Sequence, residues 1–379
     1  MKILFLTYHG FEEASGISKK MLAQIKGLRQ NGHEVHVCSY DYAEDGSRCR
    51  FVDNKVIQNY GKGRWATIRQ RVDYSCINNY CRKNGIELVY VRSFMNASPF
   101  NIRLFKRLKQ DGVKCVMEIP TYPYDKEFES LPFKHTLGLW VDKLFRRELA
   151  SYMDAIVTFS DYKMIFGQKT INISNGVDFD LLPLHRQVIN PSELHLIGVA
   201  EVHPWHGFDR MIHGLGEYYK CGEAEKKPVY FHIVGNVWPP EMNGTKNVPG
   251  FLPIMKEYGI EDKVIFHGQL FGKDLDAVFD QCSFGVGSLA RHRSGISVIK
   301  TLKNREYACR GIPFIYSEQD SDFDTQPYVL KASPDESPIR VQEIVDFCQS
   351  IPNASDIRKT VEHLSWNLQM QKVLENVKS

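Results

Sequence analysis

Twice along this chain, short apolar runs alternate with stretches whose apolar positions recur every three or four residues. That alternation constrains the fold more than any other feature. An uninterrupted apolar run between two helical stretches reads as a strand buried on both faces, and helix-covered parallel sheets supply that environment. In the first half the predicted strands are Ile3–Thr7, Val35–Ser39, Leu88–Val91, Cys115–Ile119 and Ala155–Ser160. In the second they are Leu196–Ala200, Tyr230–Val234, Val264–His267, Phe284–Val286 and Pro313–Tyr316. Between the first two strands, Ser18–Gln30 places Met21, Leu22, Ile25 and Leu28 on one face, and Asn31-Gly32 ends the helix. The expected architecture is α/β, with two Rossmann-like doubly wound domains facing across a cleft.

The boundaries follow from turn signals. Asn175-Gly176-Val177-Asp178, after a short strand at Ile171–Ser174, predicts a first domain over 1–178 and a second over 179–363. Gly235–Gly250, rich in proline and glycine, reads as a surface loop. A final helical pattern runs from about Asp356 to Val377.

Composition removes several classes. Across 379 residues no apolar run reaches the roughly 18 needed to span a bilayer. The first strand begins beside Met1, so no secretory leader is expected and a cytoplasmic location is. Nine cysteines form no CxxC pair, and Cys38, Cys115 and Cys309 sit in apolar surroundings as small core filler. Neither half opens with GxGxxG after its first strand, which argues against a dinucleotide oxidoreductase. A net charge of +3 divides into +7 over residues 1–180 and −4 over the remainder. The basic half suits an anionic ligand or surface, or simply a solvated face; no nucleic-acid partner is expected.

The richest segment is Ser294–Ser317, SGISVIKTLKNREYACRGIPFIYS. It reads as a glycine loop opening a helix near Ile299, with Lys303 and Glu306 one turn apart and Gly311-Ile312-Pro313 closing it. An anion at a helix mouth meets unpaired backbone N–H groups and the positive end of the dipole. Lys303 would neutralise phosphate, Glu306 would grip a ribose diol, and Arg293, just before the turn at Ser294-Gly295, would be a second phosphate clamp. A surface Lys–Glu helix pair is the competing account of those two residues. Arg291 and His292 read as exposed loop residues.

Several motifs occur in an order that resembles the retaining glycosyltransferases of the GT-B fold, family four. They are NGHEV at 31–35, NGVD at 175–178, HGFDRMI at 206–212 and LKNREYACRGIPF at 302–314, followed by Asp320 to Phe323 as DxDF. The resemblance implies a nucleotide-diphosphate sugar donor held by the second domain and an acceptor held by the first. It also implies a last helix, about 364–379, that crosses back onto the first domain. Members with this motif set act in bacterial polysaccharide assembly, which implies a lipid-linked glycan acceptor. Glu306 occupies the place of the family's ribose-binding glutamate.

Two positions depart from the family pattern. Val298 stands where many members carry a first glutamate that contacts the donor sugar, leaving Ser297 and backbone amides around Gly295–Lys300 for that task. Glu201 and His206 stand where a diphosphate-binding Arg and Lys are common, so Glu201 is expected to point away or to pair with Arg293 or Lys303. His206 would donate to phosphate when charged, to a sugar hydroxyl when neutral, or cap the next helix.

In the first domain, Gly16 in Ala14-Ser15-Gly16-Ile17-Ser18 reads as a close backbone approach to the diphosphate or as a turn glycine. Glu118 at a strand end is a candidate base or orienter of the acceptor hydroxyl, or a structural hydrogen-bond acceptor. Thr121, Tyr122 and Tyr124 are candidate acceptor contacts. The Asp320-Ser321-Asp322 triplet reads as a turn or cap, and no metal and no cofactor beyond the donor substrate are expected. A helix over Pro132–Ala150 carries Leu137, Trp140, Val141, Leu144 and Phe145 beside Lys143, Arg146 and Arg147. It reads as core-packed, or as lying peripherally on an anionic membrane. The overall expectation is a retaining, metal-independent glycosyltransferase of surface polysaccharide biosynthesis. The rivals are a non-catalytic nucleotide-sugar-binding or partner subunit with a degenerate site, and a sugar-nucleotide epimerase.

Overall fold

The computed structural model describes residues 1–12, 16–93, 97–125, 133–185, 192–220, 226–236, 250–350 and 352–378. Most of the predicted loop at Gly235–Gly250, as well as Ala14, Ser15 and Pro132, lies outside the described residues. The chain forms two compact units, one of Met1–Gly176 with Ser365–Ser379 and one of Val177–Leu364.

The first unit contains β1 (Lys2–Leu6), α1 (Gly16–Gln30), β2 (Glu34–Tyr42), β3 (Arg48–Val52), β4 (Lys55–Gly61), α2 (Gly63–Val72), α3 (Ser75–Asn84) and β5 (Leu88–Arg92). It continues with α4 (Pro99–Gln110), β6 (Lys114–Ile119), α5 (Phe133–Ser151), β7 (Ala155–Thr158), β8 (Met164–Ile165) and β9 (Gln168–Asn172). Their order in the sheet is β4-β3-β2-β1-β5-β6-β7-β9-β8, parallel from β2 to β9. Central strands are apolar throughout because both faces are covered: all five residues of β5 are buried. The hairpin β3–β4 was not anticipated, although its signal is local. Asp53 (φ 49°) and Asn54 (φ 64°) are the two turn residues, a left-handed pair that Asp and Asn tolerate.

The second unit is a six-stranded, wholly parallel sheet ordered β12-β11-β10-β13-β14-β15. These strands are β10 (Leu194–Val199), β11 (Val229–Val234), β12 (Val264–Gly268), β13 (Phe284–Val286), β14 (Phe314–Tyr316) and β15 (Val329–Lys331). Between and after them run α6 (Phe208–Lys220), α7 (Phe251–Tyr258), α8 (Gly272–Gln281), α9 (Leu302–Arg310), α10 (Val341–Phe347) and α11 (Ala354–Lys359). Two apolar cores, one around Phe231 and Met211 and one around Tyr307 and Phe314, fill the two faces. The chain winds outward from β10 to β12, then returns to lay β13 against the other side of β10. That reversal makes β10/β13 the switch point where open α/β sheets present their ligand crevice.

The single helix expected over Asp356–Val377 is two. Helix α11 ends at Lys359, and α12 begins at Trp366. In the break, the Leu364 carbonyl accepts the Val177 N–H at 2.8 Å. Helix α12 then packs on α1 so closely that a Cβ on Gly27 would lie 2.7 Å from the Trp366 carbonyl oxygen.

Candidate functional site

Three loops leave the carboxyl ends of β10, β13 and β14 side by side, and the start of α9 meets them. The β10 loop carries His203, Trp205 and His206, and the β13 loop carries Ser288 and Arg291. The β14 loop begins with Ser317 and Glu318. Backbone bonds lock the first two loops together: Leu289 N–H donates to His206 O at 2.9 Å and Ala290 N–H to Trp205 O at 3.2 Å. The third is tied in by Ser317 N–H donating to Ser288 O at 2.9 Å.

Four buried polar atoms in this cluster have no hydrogen-bond partner: Ser288 Oγ, Thr301 Oγ1, Asn304 Oδ1 and Glu318 Oε2. Such atoms are rare because each costs desolvation without repayment. Thr301 is the residue before α9, yet its side chain does not cap the helix. Asn304 Nδ2 reaches Glu318 Oε1 and Asp320 Oδ2 at 3.4 Å each, while its carbonyl oxygen looks elsewhere. A Cβ at Gly287 would lie 3.0 Å from that oxygen, so glycine makes the room.

Lys303 lies in the first turn of α9, where backbone N–H groups already concentrate positive potential. Burial, with repulsion from Arg291, pushes its ammonium down to about 7, although Glu318 pulls the other way. Glu318, 2 % exposed, has its carboxyl raised by burial against the pull of Arg291 and Lys303. His206 is held neutral well below its usual range, by burial first and then by Lys303 and Arg291. Its Nδ1 accepts the His203 N–H at 2.9 Å, which leaves the proton on Nε2 as a donor. The charged-phosphate role weighed for His206 does not fit this neutral ring.

Several expectations for this segment need correction. Helix α9 starts at Leu302, not near Ile299, because Val298 forms a parallel bridge with Gln319 and Ile299 N–H bonds Gln319 O at 3.1 Å. Gly295 (φ +68°) ends the short turn Arg291–Ser294, and its own N–H bonds His292 O. It therefore does not open α9. Ser297 is exposed, and its carbonyl accepts Gln319 N–H at 2.7 Å.

Arg293 is committed elsewhere. Its guanidinium grips Asp209 at 2.9 and 2.7 Å, donates to the Pro204 carbonyl at 2.8 Å and pairs with Glu336. Those carboxylates hold it above its usual range, and the phosphate clamp expected of Arg293 has no spare edge. Arg291, read from sequence as exposed loop, instead lies over the Trp205 ring (5.8 Å to the centroid) and within electrostatic reach of Lys303. Glu201 is exposed and makes no ion pair with Arg293 or Lys303.

Glu306 sits in the second turn of α9. Its Oε1 accepts from Arg310 at 3.0 Å, and Arg310 also holds Asp276 at 2.8 Å. The Lys303–Glu306 surface pair weighed as a competing account is not formed. The DxD carboxylates are likewise engaged. Asp320, fully buried, binds Arg305 through two bonds of 2.6 and 3.0 Å, and Asp322 closes on the same guanidinium. Among the described residues no group of three or more His, Cys, Asp or Glu is placed to hold a metal ion.

In the first unit, Glu118 is fully buried at the end of β6. Its oxygens receive Gln24 Nε2 at 2.6 Å, Tyr90 Oη at 2.5 Å and Arg92 at 2.9 Å, with Lys20 Nζ at 3.3 Å. Burial alone would raise its pKa, but Lys20 and Arg92 hold it below the ordinary carboxylate range. Of the two roles weighed for Glu118, base or orienter of the acceptor and structural acceptor, this burial fits the structural one. Tyr124 is also structural: it is 8 % exposed and donates to Asp142 at 2.5 Å. Tyr122 and Thr121 stay half-exposed, with Tyr122 set edge-on to Tyr162 at 4.9 Å. Gly16 opens α1, and a Cβ there would meet no described atom within 4 Å.

No family model and no curated protein matches the sequence. Solved structures do match over the whole chain. A sucrose-phosphate synthase from Thermosynechococcus elongatus is 14 % identical with a TM-score of 0.65, covering 100 % of this chain and 98 % of its own. The lipopolysaccharide outer core galactosyltransferase WaaB is 13 % identical (TM-score 0.61; 100 % and 99 % covered). The catalytic domain of starch synthase IV from Arabidopsis thaliana, bound to ADP and acarbose, is 11 % identical (TM-score 0.62; 100 % and 98 % covered). The fold is GT-B.

Within this GT-B chain, sequence reading missed Arg291, Asn304, Ser288 and Glu318 as members of the cluster. Asn304 had a local signal, lying between Lys303 and Glu306 on a helix already singled out. Glu318 had one too, as the charge that ends an apolar strand. Ser288 had none, since only the pairing of β13 with β14 brings it there.

Proposed function

We propose that the chain is a glycosyltransferase that moves a sugar from a nucleotide-diphosphate donor to a hydroxyl acceptor. The observation that carries this reading is the buried, unsatisfied polar cluster beside Lys303 at the β10/β13 switch point. A ligand bringing both hydroxyls and anionic oxygens would satisfy it. Lys303, the first-turn amides of α9 and Arg291 would stabilise charge developing on the departing diphosphate. Glu306 would accept from the ribose diol, and Ser297 would meet the donor sugar. His206 Nε2–H and the Ser288, Thr301, Asn304 and Glu318 side chains would meet sugar hydroxyls. Gly16 would bring its backbone close to the donor diphosphate, and Thr121 and Tyr122 would serve the acceptor side. A galactosyltransferase and an ADP-bound starch synthase among the structural neighbours agree with this class.

The finer reading is retention at the anomeric carbon, no metal, and a lipid-linked glycan acceptor for surface polysaccharide. Thermal shift with UDP, GDP, CMP and their common sugars is the first test, because a bound ligand raises the midpoint by mass action. One nucleotide series should stand out, and turnover of its sugar should survive chelator. No shift with any of them would refute the proposal, binding without turnover would favour a non-catalytic subunit, and strict manganese dependence would overturn the metal-free mechanism.

Lys303 also sets a pH signature. Its ammonium titrates at about 7 in the free protein, and a bound diphosphate must raise that value. Binding should therefore take up a proton. Affinity should be greatest below about 7 and fall by at most about tenfold per unit as pH rises above it. Calorimetry in buffers of different ionisation enthalpy measures the uptake directly, and affinity constant from pH 7 to 9 would contradict it.

A further inference from the structure

Helix α5 buries Leu139, Asp142, Leu149 and Ala150, yet keeps a second apolar stripe for solvent. Leu137 (56 % exposed), Trp140 (66 %), Val141 (36 %) and Leu144 (71 %) follow at i, i+3, i+4 and i+7, so they form one line along the helix. Helix α4 touches α5 on one side and α2 on the other, and α2 exposes Trp65 (75 %) and Ile68 (49 %). An exposed apolar stripe of this kind marks an interaction site.

The charges of these neighbouring helices select the partner. Helices α2 and α4 contain no acidic residue at all. Arg64, Arg69 and Arg71 of α2 and Arg103, Lys106 and Arg107 of α4 are all exposed. On α5, Asp142 is buried, while Lys143 and Arg147 are exposed together with one acid, Glu148, at the end of the stripe. A second copy would bring these cations against themselves, which is repulsive. Aromatic and aliphatic side chains protruding among cations match the headgroup boundary of a bilayer: tryptophan prefers that depth, and arginine and lysine meet anionic lipid there.

We propose that the outer face of α2, α4 and α5 docks the protein onto an anionic lipid bilayer. This deepens the glycosyl-transfer reading by giving the membrane as the source of its acceptor, but the docking itself needs no donor. The test is co-sedimentation of the full chain with vesicles of phosphatidylcholine alone and of equimolar phosphatidylcholine and phosphatidylglycerol. Binding should occur only to the mixed vesicles, weaken as salt screens the cations, and blue-shift the tryptophan emission. The double variant Trp140→Ser/Leu144→Ser should lose at least about tenfold of that binding with an unchanged melting midpoint, since both side chains are solvent-exposed. Arg103→Gln/Arg107→Gln should weaken it as well. Equal binding to both vesicle types, no binding, or full binding by Trp140→Ser/Leu144→Ser would overturn the proposal. A wild-type dimer in light scattering that this variant dissociates would assign the face to a second copy instead. Nucleotide-induced thermal shifts of the same variant separate this question from the catalytic one: they should equal those of the wild type.

Discussion

Lys303→Met is expected to lower kcat/KM by about 10²–10³-fold with whichever nucleotide sugar is used, the loss typical of removing one preorganised donor to developing negative charge. The reasoning is differential. In the free protein burial and Arg291 disfavour the ammonium and push it down to about 7. On the proposed function, an anionic diphosphate reverses that balance, most strongly as the glycosidic oxygen departs. The interaction is therefore worth more in the transition state than in the resting protein, which is the condition for catalysis. Stability should move the other way: methionine keeps much of the volume without the charge, so the ligand-free midpoint should hold or rise. Steady-state kinetics beside a melting curve separate the two. A variant with near-normal kcat/KM would remove Lys303 from the mechanism.

The largest effect on stability is expected at Arg305. Its guanidinium is 1 % exposed and neutralises Asp320, which is fully buried, as well as Asp322. Arg305→Met leaves Asp320 buried without its cation, while Asp322, 14 % exposed, keeps Lys300 at 3.4 Å. Breaking a buried pair from one side typically costs about 3–5 kcal/mol. For a unit of this size that lowers the midpoint by about 2–4 °C per kcal/mol, or roughly 6–20 °C. Calorimetry measures it. The double change Arg305→Met/Asp320→Leu should recover most of the loss, because the buried carboxylate goes with its cation and Asp322 still holds Lys300. A single variant melting within about 2 °C of wild type would show that the clamp contributes little. The same pairing explains the DxD triplet: these carboxylates hold α9 against the β14 loop, and so hold Lys303 and Asn304 in the cluster.

Much of the fold was legible because its signals are local. An apolar run with helical stretches on either side can be read residue by residue, and each of the eleven predicted strands overlaps a strand in the structure. The misses have local reasons too. Strands β3 and β4 carry a mixed pattern, and only Asp53-Asn54 announced their turn. The final helix was read as one because its apolar positions stay in phase across the break at Thr360–Ser365. The candidate site was legible only in part. Lys303 and Glu306 could be placed one turn apart from spacing alone, but their partners could not. Arg293 looked like the phosphate clamp because it precedes a glycine turn; Asp209 and Glu336, distant in sequence, take it. Glu118, at a strand end, could be read as a base or as a structural acceptor; four donors from two other elements, α1 and β5, bury it.

The sequence by itself determined the parallel α/β architecture, the helix bearing Lys303 and Glu306, and the amphipathic character of α5. Periodicity and turn chemistry are properties of neighbouring residues. Only the tertiary structure decided which charges meet: that Arg291 rather than Arg293 lies near Lys303, that Glu318 and Ser288 join them, and that the apolar stripe of α5 faces outward. Electrostatic and desolvation energies depend on distance and burial through space, which the order of residues along a chain does not encode.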